Sequence, residues 1–275
     1  MAFITLTTDW QTSDFYSGMI KGRLLSLIPD AVIVDIDQRI EPFHTLQASF
    51  VLRQVIPEYP EGTIHLFLVN QGHQPGIWPA VALYKKQYLV GWDDGIMPLI
   101  MDSDPEFYLR LDDQIMQEMD STTGIGDEFR LIEPSFPELS LFTRLARYLA
   151  SGLPLNLSGT VSADVGRSNA WLPVIRKDQI DGQVVFIDSY RNAITNIPKA
   201  EFLKIGANRK FEITIKSNRY KIYGISNTYL ESDPGELLAI FNSAGLLEIA
   251  IVQGNAAELL GFEPGTPIKI KFNEQ

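Results

Sequence analysis

The chain contains no cysteine. That excludes disulfides, thiolate metal sites and a cysteine nucleophile, and it agrees with a reducing compartment. It has three histidines in 275 residues, and none is paired at metal-ligand spacing. No metal site is therefore expected, zinc included. Basic residues are also in deficit, with 23 Lys and Arg against 34 Asp and Glu and a net charge of −11. A protein that displaces counterions from nucleic acid needs the opposite balance, so no nucleic-acid partner is expected. The short basic runs at 85–86 and 208–210 read as solvated surface. No apolar run approaches the length a membrane span requires, and the start "MAFITLTTDW" lacks the basic segment and cleavage site of a secretory signal. The expectation is a cytoplasmic protein without membrane association.

What is present is an ordinary globular composition, 45% hydrophobic and 21% charged, long enough for two cores. The first half alternates strand-like and helix-like stretches. "FITLTT" (3–8), "AVIVDI" (31–36) and "GTIHLFLVN" (62–70) are apolar enough for strands, the second reading as covered on both faces. Between them, 14–29 carries Met19, Ile20, Leu24, Leu25 and Ile28 at helical spacing and stops at Pro29, and 44–59 is helical again. Strand–helix–strand units of this kind make a mostly parallel sheet flanked by helices. A hairpin follows over 80–97. An amphipathic helix over 138–152 is closed by Gly152.

From 153 to 179 the chain turns polar and Pro/Gly/Ser-punctuated, as a linker does. Beyond it lie short strands with no long helix between them, which suggests an antiparallel barrel or sandwich. The expected organisation is an α/β domain over 1–152, a linker over 153–179, and a β-barrel domain over 180–275.

Three stretches offer chemistry. In "TTDWQTSDFYSG" (7–18), Asp9 closes the first strand at the edge where parallel sheets hold ligands. A carboxylate there can take a turn hydrogen bond or grip a ribose diol. Asp14 reads as the cap of the following helix. In "IDSYRNAITNI" (187–197), Asp188, Asn192 and Asn196 crowd a short turn, a placement also favoured by backbone bonding alone. In "NSAGLLEIAIVQGNAA" (242–257), glycines permit close backbone approach, although a plain hairpin explains them equally. Phe43, Trp92, Tyr190 and Tyr229 lie in or near loops, where flat rings serve to stack a base or to fill a core or interface. Local spacing assembles no nucleophile, phosphate loop or dinucleotide fingerprint.

Together these stretches resemble the S-adenosyl-L-methionine (SAM) hydroxide adenosyltransferase family, related to the fluorinating and chlorinating adenosyl enzymes. "TTDWQTSDFYSGMIKGRLLSLIPDAVIVDI" follows that family's TD-x-G-x-x-D…P-D-A-x-(I/V)-V-D-(I/V) opening. "IDSYRNAITNI" is similar to its D-x-F-G-N-x-x-T-N-I segment, and "NSAGLLEIAIVQGNAAELLG" to its S-x-G-x-L-E-I-A…G-S-A-A-x-x-L-G segment. The resemblance implies a homotrimer with an adenosyl ligand at the subunit interface, SAM being substrate or ligand and no further cofactor being needed. It would place Asp9 on the ribose hydroxyls and Phe43 beside the sugar or base. Asp188 and Asn192 would face the methionine moiety, and Ser243 its carboxylate or amine. Tyr229 and the backbone around Asn255 and Ala256 would pack on and bond to the adenine, with Tyr190 also among the ligand-binding residues.

Hydrolytic members of the family carry an Asp–Arg–His set that positions a water to attack ribose C5′ and expel methionine. Their D-P-G-V-G-T-x-R motif aligns with "NQGHQPGI", which puts Asn70 at the Asp and Ile77 at the Arg. Their F-H-G-R-D motif aligns with "FPELS", which puts Pro137 at the His. None of the three reproduces the role it replaces. His73 and Glu138 are the titratable residues left nearby as substitutes. Halide-using relatives carry Tyr where Asn70 stands, so this chain matches neither variant. Two family glycines are also replaced, by Gln11 after Asp9 and by Arg191 in the 187–197 segment, where an Arg side chain would face the methionine end. Three readings follow: a SAM hydrolase with a reorganised water site, a non-catalytic adenosyl-binding sensor or scaffold, and a structural trimer with a vestigial site.

Overall fold

The computed structural model describes residues 1–69, 76–130, 135–153, 168, 171–216 and 220–273. The chain divides into two compact units, Met1–Ser168 and Asn169–Gln275. Most of the expected linker, 154–167 with 169 and 170, lies outside the described residues, as do Asn70 and His73.

The first unit runs β1 (Phe3–Thr8), α1 (Tyr16–Leu27), β2 (Val32–Asp37), α2 (Thr45–Val55), β3 (Ile64–Leu68), β4 (Pro79–Tyr84), β5 (Gln87–Trp92), α3 (Met97–Ile100), β6 (Phe107–Arg110), α4 (Asp113–Thr123), α5 (Asp127–Arg130) and α6 (Glu138–Ala150). Its sheet has the order β2-β1-β3-β5-β4-β6. β1 pairs in parallel with β2 and β3, and β3 with β5, while β4 runs antiparallel to β5 and β6. The expected mostly parallel α/β sheet is thus present.

Two local expectations need correcting. β2 is an edge strand with Val32 exposed and is not covered on both faces, because an apolar run alone does not reveal how many neighbours a strand has. Asp14 does not cap α1. The cap position is Phe15, with no side-chain bond, and Asp14 is exposed. α6 is the amphipathic helix expected, yet it is buried almost all round, with only Arg147 and Ala150 partly exposed, because polar residues such as Ser140 and Arg144 also find partners within the unit, in Phe129 O and Asp120. α1 behaves closer to expectation: Ile20, Leu24 and Ile28 are buried, whereas Met19 and Leu25 stand in solvent. Pro29 ends it by forcing Ile28 out of the helical region, to φ −135° and ψ 75°. The basic pair at 85–86 is the two-residue turn of the β4–β5 hairpin, both residues at positive φ. Lys85 is salt-bridged to Asp102 and Lys86 to Glu61.

The second unit runs β7 (Val174–Ile175), β8 (Gln179–Ile187), β9 (Ala193–Pro198), α7 (Lys199–Gly206), β10 (Phe211–Ile215), β11 (Tyr220–Ile222), β12 (Leu237–Phe241), β13 (Leu246–Ile251), α8 (Ala256–Leu260) and β14 (Pro267–Phe272). The sheet order is β11-β10-β14-β8-β9-β13-β12, with β7 paired to β8 and every strand pair antiparallel. A bridge from Ser226 to Ile240 draws the chain after β11 onto β12 and brings the sheet near closure as a barrel. β14, "PIKIKF", alternates exposed and buried along its whole length. Its Ile268 and Ile270 join Ile180, Ile213 and Ile249 in the barrel core. Each such fully buried isoleucine contributes about 1.5–3 kcal/mol.

Candidate functional site

In the first unit, the candidate residues gather at the carboxyl ends of the parallel strands. Asp9 follows the last residue of β1 and is only 7% exposed. Its Oδ2 accepts the backbone N–H of Phe43 at 2.9 Å, which ties the loop after β1 to the loop after β2. Gln11 strengthens the same tie by donating its amide to Ile40 O at 3.1 Å. This bond reaches a residue 34 positions away, so it links two loops and is not a bond within a turn. Phe43 itself takes φ +64° and turns its ring outward, 66% exposed.

Beside this knot, Trp10 is buried edge-on against Phe136, whose neighbours Pro137 and Glu138 begin α6. Glu138 is 2% exposed and its Oε1 accepts Trp92 Nε1–H at 3.1 Å. Burial pushes its carboxyl above the usual range, and the nearby Asp9 carboxylate acts in the same direction. Trp92 is consequently not a loop ring but a fully buried one, packed against Phe142 at 5.1 Å. Pro137 is buried at the N-cap of α6, and Ile77 packs against the main apolar core of the unit. Ile77 is thus held by apolar packing, and Pro137 stands buried at a helix start.

In the second unit, a cleft of about 950 Å³ collects residues from three turns distant in sequence. Asp188, Tyr190 and Asn192 come from the β8–β9 turn. Tyr229 and Leu230 come from a single 3-10 turn, Tyr229–Glu231. Asn242 and Ser243 come from the β12–β13 turn. Five of the expected ligand residues (Asp188, Tyr190, Asn192, Tyr229 and Ser243) therefore share one cavity, at whose rim Gln253 and Gly254 lead into Asn255. Asn255 caps α8, its Oδ1 accepting Glu258 N–H at 2.9 Å, and Ala256 is fully buried behind it. Asn196 serves the backbone instead: its Oδ1 accepts Gln183 N–H at 2.8 Å, beside the β8 bulge.

The 188–192 turn is internally bonded. Asp188 Oδ1 accepts Asn192 N–H at 2.8 Å, and Asp188 O accepts Arg191 N–H at 3.0 Å. Arg191 sits at φ +68°, as Gln11 sits at φ +52°. Both replaced glycines of the family pattern are thus left-handed backbone positions, where a side chain costs roughly 1–2 kcal/mol. Arg191 O accepts Ala257 N–H at 2.9 Å, which links this turn to α8. The Arg191 side chain is exposed and is not among the residues lining the cleft.

One residue of the cleft escaped sequence reasoning. Glu248, in the middle of β13, is 3% exposed and reaches the cavity floor. The signal available was a lone charge inside the apolar run "LLEIAIV". A second cleft, about 510 Å³ around Arg209 and Tyr223, contains none of the expected site residues.

The protein is thus an α/β unit followed by a nearly closed antiparallel barrel, with candidate residues at the strand ends of one and in a cleft of the other. Residues 4–159 match the SAM hydroxide adenosyltransferase N-terminal domain, and residues 182–269 match the C-terminal domain of the same family. The chain belongs to the SAM hydroxide adenosyltransferase family. It is similar to proteins named (R)-S-adenosyl-L-methionine hydrolase from Thermus thermophilus (27% identical, 96% of this chain and 97% of the other) and Methanocaldococcus jannaschii (26% identical, 98% and 95%). Among solved structures it resembles an uncharacterized conserved protein from Thermotoga maritima, with a TM-score of 0.82 at 27% identity over 98% of this chain and 99% of that one.

Proposed function

We propose that this protein binds SAM or a close adenosyl analogue as a homotrimer, and that it lacks the efficient hydrolysis its relatives' names describe. The observation that carries the binding is the cleft that unites Asp188, Tyr190, Asn192, Tyr229 and Ser243. Ile77 and Pro137 carry the loss of turnover. In hydrolysis, a water oxygen bonds to ribose C5′ while the C5′–S bond breaks and its electron pair returns to sulfur. The sulfonium becomes the neutral thioether of methionine, and the water gives up a proton. That water has to be oriented and deprotonated. An isoleucine packed on the core and a proline at a helix start do neither. Losing groups that act as a unit costs orders of magnitude in rate.

A second reading is favoured by Glu138, a buried carboxyl with its affinity for protons raised close to Asp9, as a general base requires. The two readings separate in one set of measurements. Titration calorimetry with SAM and with adenosine is expected to give saturable heat. Adenosine and methionine are expected to appear no faster than in buffer. Absence of both heat and thermal shift sinks the binding proposal. Turnover above the blank that disappears in Glu138→Gln or His73→Ala reinstates the hydrolase.

A further inference from the structure

We propose that Glu248 is a positioning residue of this cleft, fixing the Tyr229 ring and the 242–245 turn where the ligand meets them; this role rests on the adenosyl-binding reading above. Glu248 lies on β13 between Ile194 of β9 and Ile240 of β12, both of which also line the cleft. A carboxyl group in such a place is costly to bury unless its oxygens are bonded, and a hydrocarbon would pack there without that cost. Both oxygens are bonded, and each bond leads to a different wall. Oε1 accepts the Tyr229 hydroxyl at 2.5 Å, and Oε2 accepts Asn242 Nδ2 at 3.3 Å.

Each bond bears on a different part of the cleft. Tyr229 stands on an isolated 3-10 turn and is 42% exposed, so its hydroxyl tether decides where the ring lies. Burial and the Glu248 carboxylate hold the phenol well above its ordinary value, as expected of a hydroxyl that donates to a carboxylate. At the other wall, the carboxylate selects which end of the Asn242 amide faces it. With Nδ2 committed to Glu248, Asn242 Oδ1 faces the turn and accepts the N–H groups of Ala244 at 3.0 Å and Leu246 at 3.2 Å. Ser243 is carried by that turn. Among the described residues the lining of the cleft contains no Lys, Arg or His, so these bonds are not the by-product of an ion pair within that lining.

The test is a double-variant cycle read by SAM and adenosine affinity. Glu248→Gln keeps the volume but removes the charge and turns one of the two acceptor oxygens into a donor, so Tyr229 and Asn242 can no longer both donate to this side chain, and Tyr229→Phe removes one end of the tether. Each single variant is expected to weaken binding by about tenfold, the order of one charge-assisted hydrogen bond. The double variant is expected to bind no more than about twofold worse than either single, because both remove the same arrangement. Thermal midpoints follow folding separately. Independent, multiplying losses in the double variant, or unchanged affinity in both singles, overturn the role. Should Glu248→Gln fail to fold, wild-type affinity in Tyr229→Phe still overturns it. Wild-type protein that binds neither probe overturns the adenosyl-binding proposal itself and this role with it, whereas binding that both variants retain removes the role alone.

Discussion

His65 is fully buried in β3, and its surroundings specify its protonation state. Gln87 donates its amide to Ile56 O at 3.0 Å and Tyr59 O at 3.2 Å, so its Oε1 faces the imidazole. His65 Nε2 must therefore donate to that oxygen, at 2.6 Å, and Nδ1 accepts the Thr5 hydroxyl at 2.7 Å. Burial pushes His65 below its ordinary value of 6.5, against a smaller opposing effect of the Gln87 bond. A depressed histidine binds fewer protons folded than unfolded, so its contribution to stability is present above pH 6.5 and is lost as pH falls below it. The expected outcome is a urea midpoint that drops between pH 7 and 5 in the wild type and drops less in His65→Gln. Parallel curves for the two proteins would refute the assignment. The same scale shows what a single residue conceals in sequence. Asp9 stood out as a candidate because it ends a strand, but its bond to Phe43 joins two loops 34 residues apart. Glu248 was illegible because a lone Glu in a strand looks like its solvent-facing residue until the register places it between two isoleucines.

At the scale of elements, capping separates two aspartates that look alike on paper. Asp112 stands before α4 in extended conformation, and its Oδ1 accepts Ile115 N–H at 2.8 Å. Asp14 stands before α1 and caps nothing, since the chain is already helical at Phe15. Asp112→Ala is expected to lower stability by about 1 kcal/mol, while Asp14→Ala stays within roughly 0.5 kcal/mol of wild type. Chemical denaturation of the two variants side by side checks this, and equal losses would overturn the distinction. Strand and helix identities were readable because burial imposes periods of 2 and 3.6 on the apolar residues. β9 was harder to see, since "AITNIP" mixes Thr and Asn with its isoleucines and reads as turn. The number of neighbours β2 would have was not readable at all.

For the whole molecule, the proposed homotrimer gives a direct expectation. Sedimentation equilibrium should return a mass close to three copies of the 30.9 kDa chain, independent of micromolar loading concentration. A mass of one copy throughout that range would exclude the trimer. Sequence alone determined the order of α/β and β units, the apolar positions of both cores and the family, because these depend on periodicity and on motifs a few residues long. Tertiary structure alone decided which candidates meet. Closing the barrel lays β9, β13 and β12 side by side, and only then do the turns holding Asp188, Tyr229 and Ser243 face one cavity with Glu248 at its floor. Pairing across strands is set by backbone register between distant segments, and no local pattern in the chain encodes that register by itself.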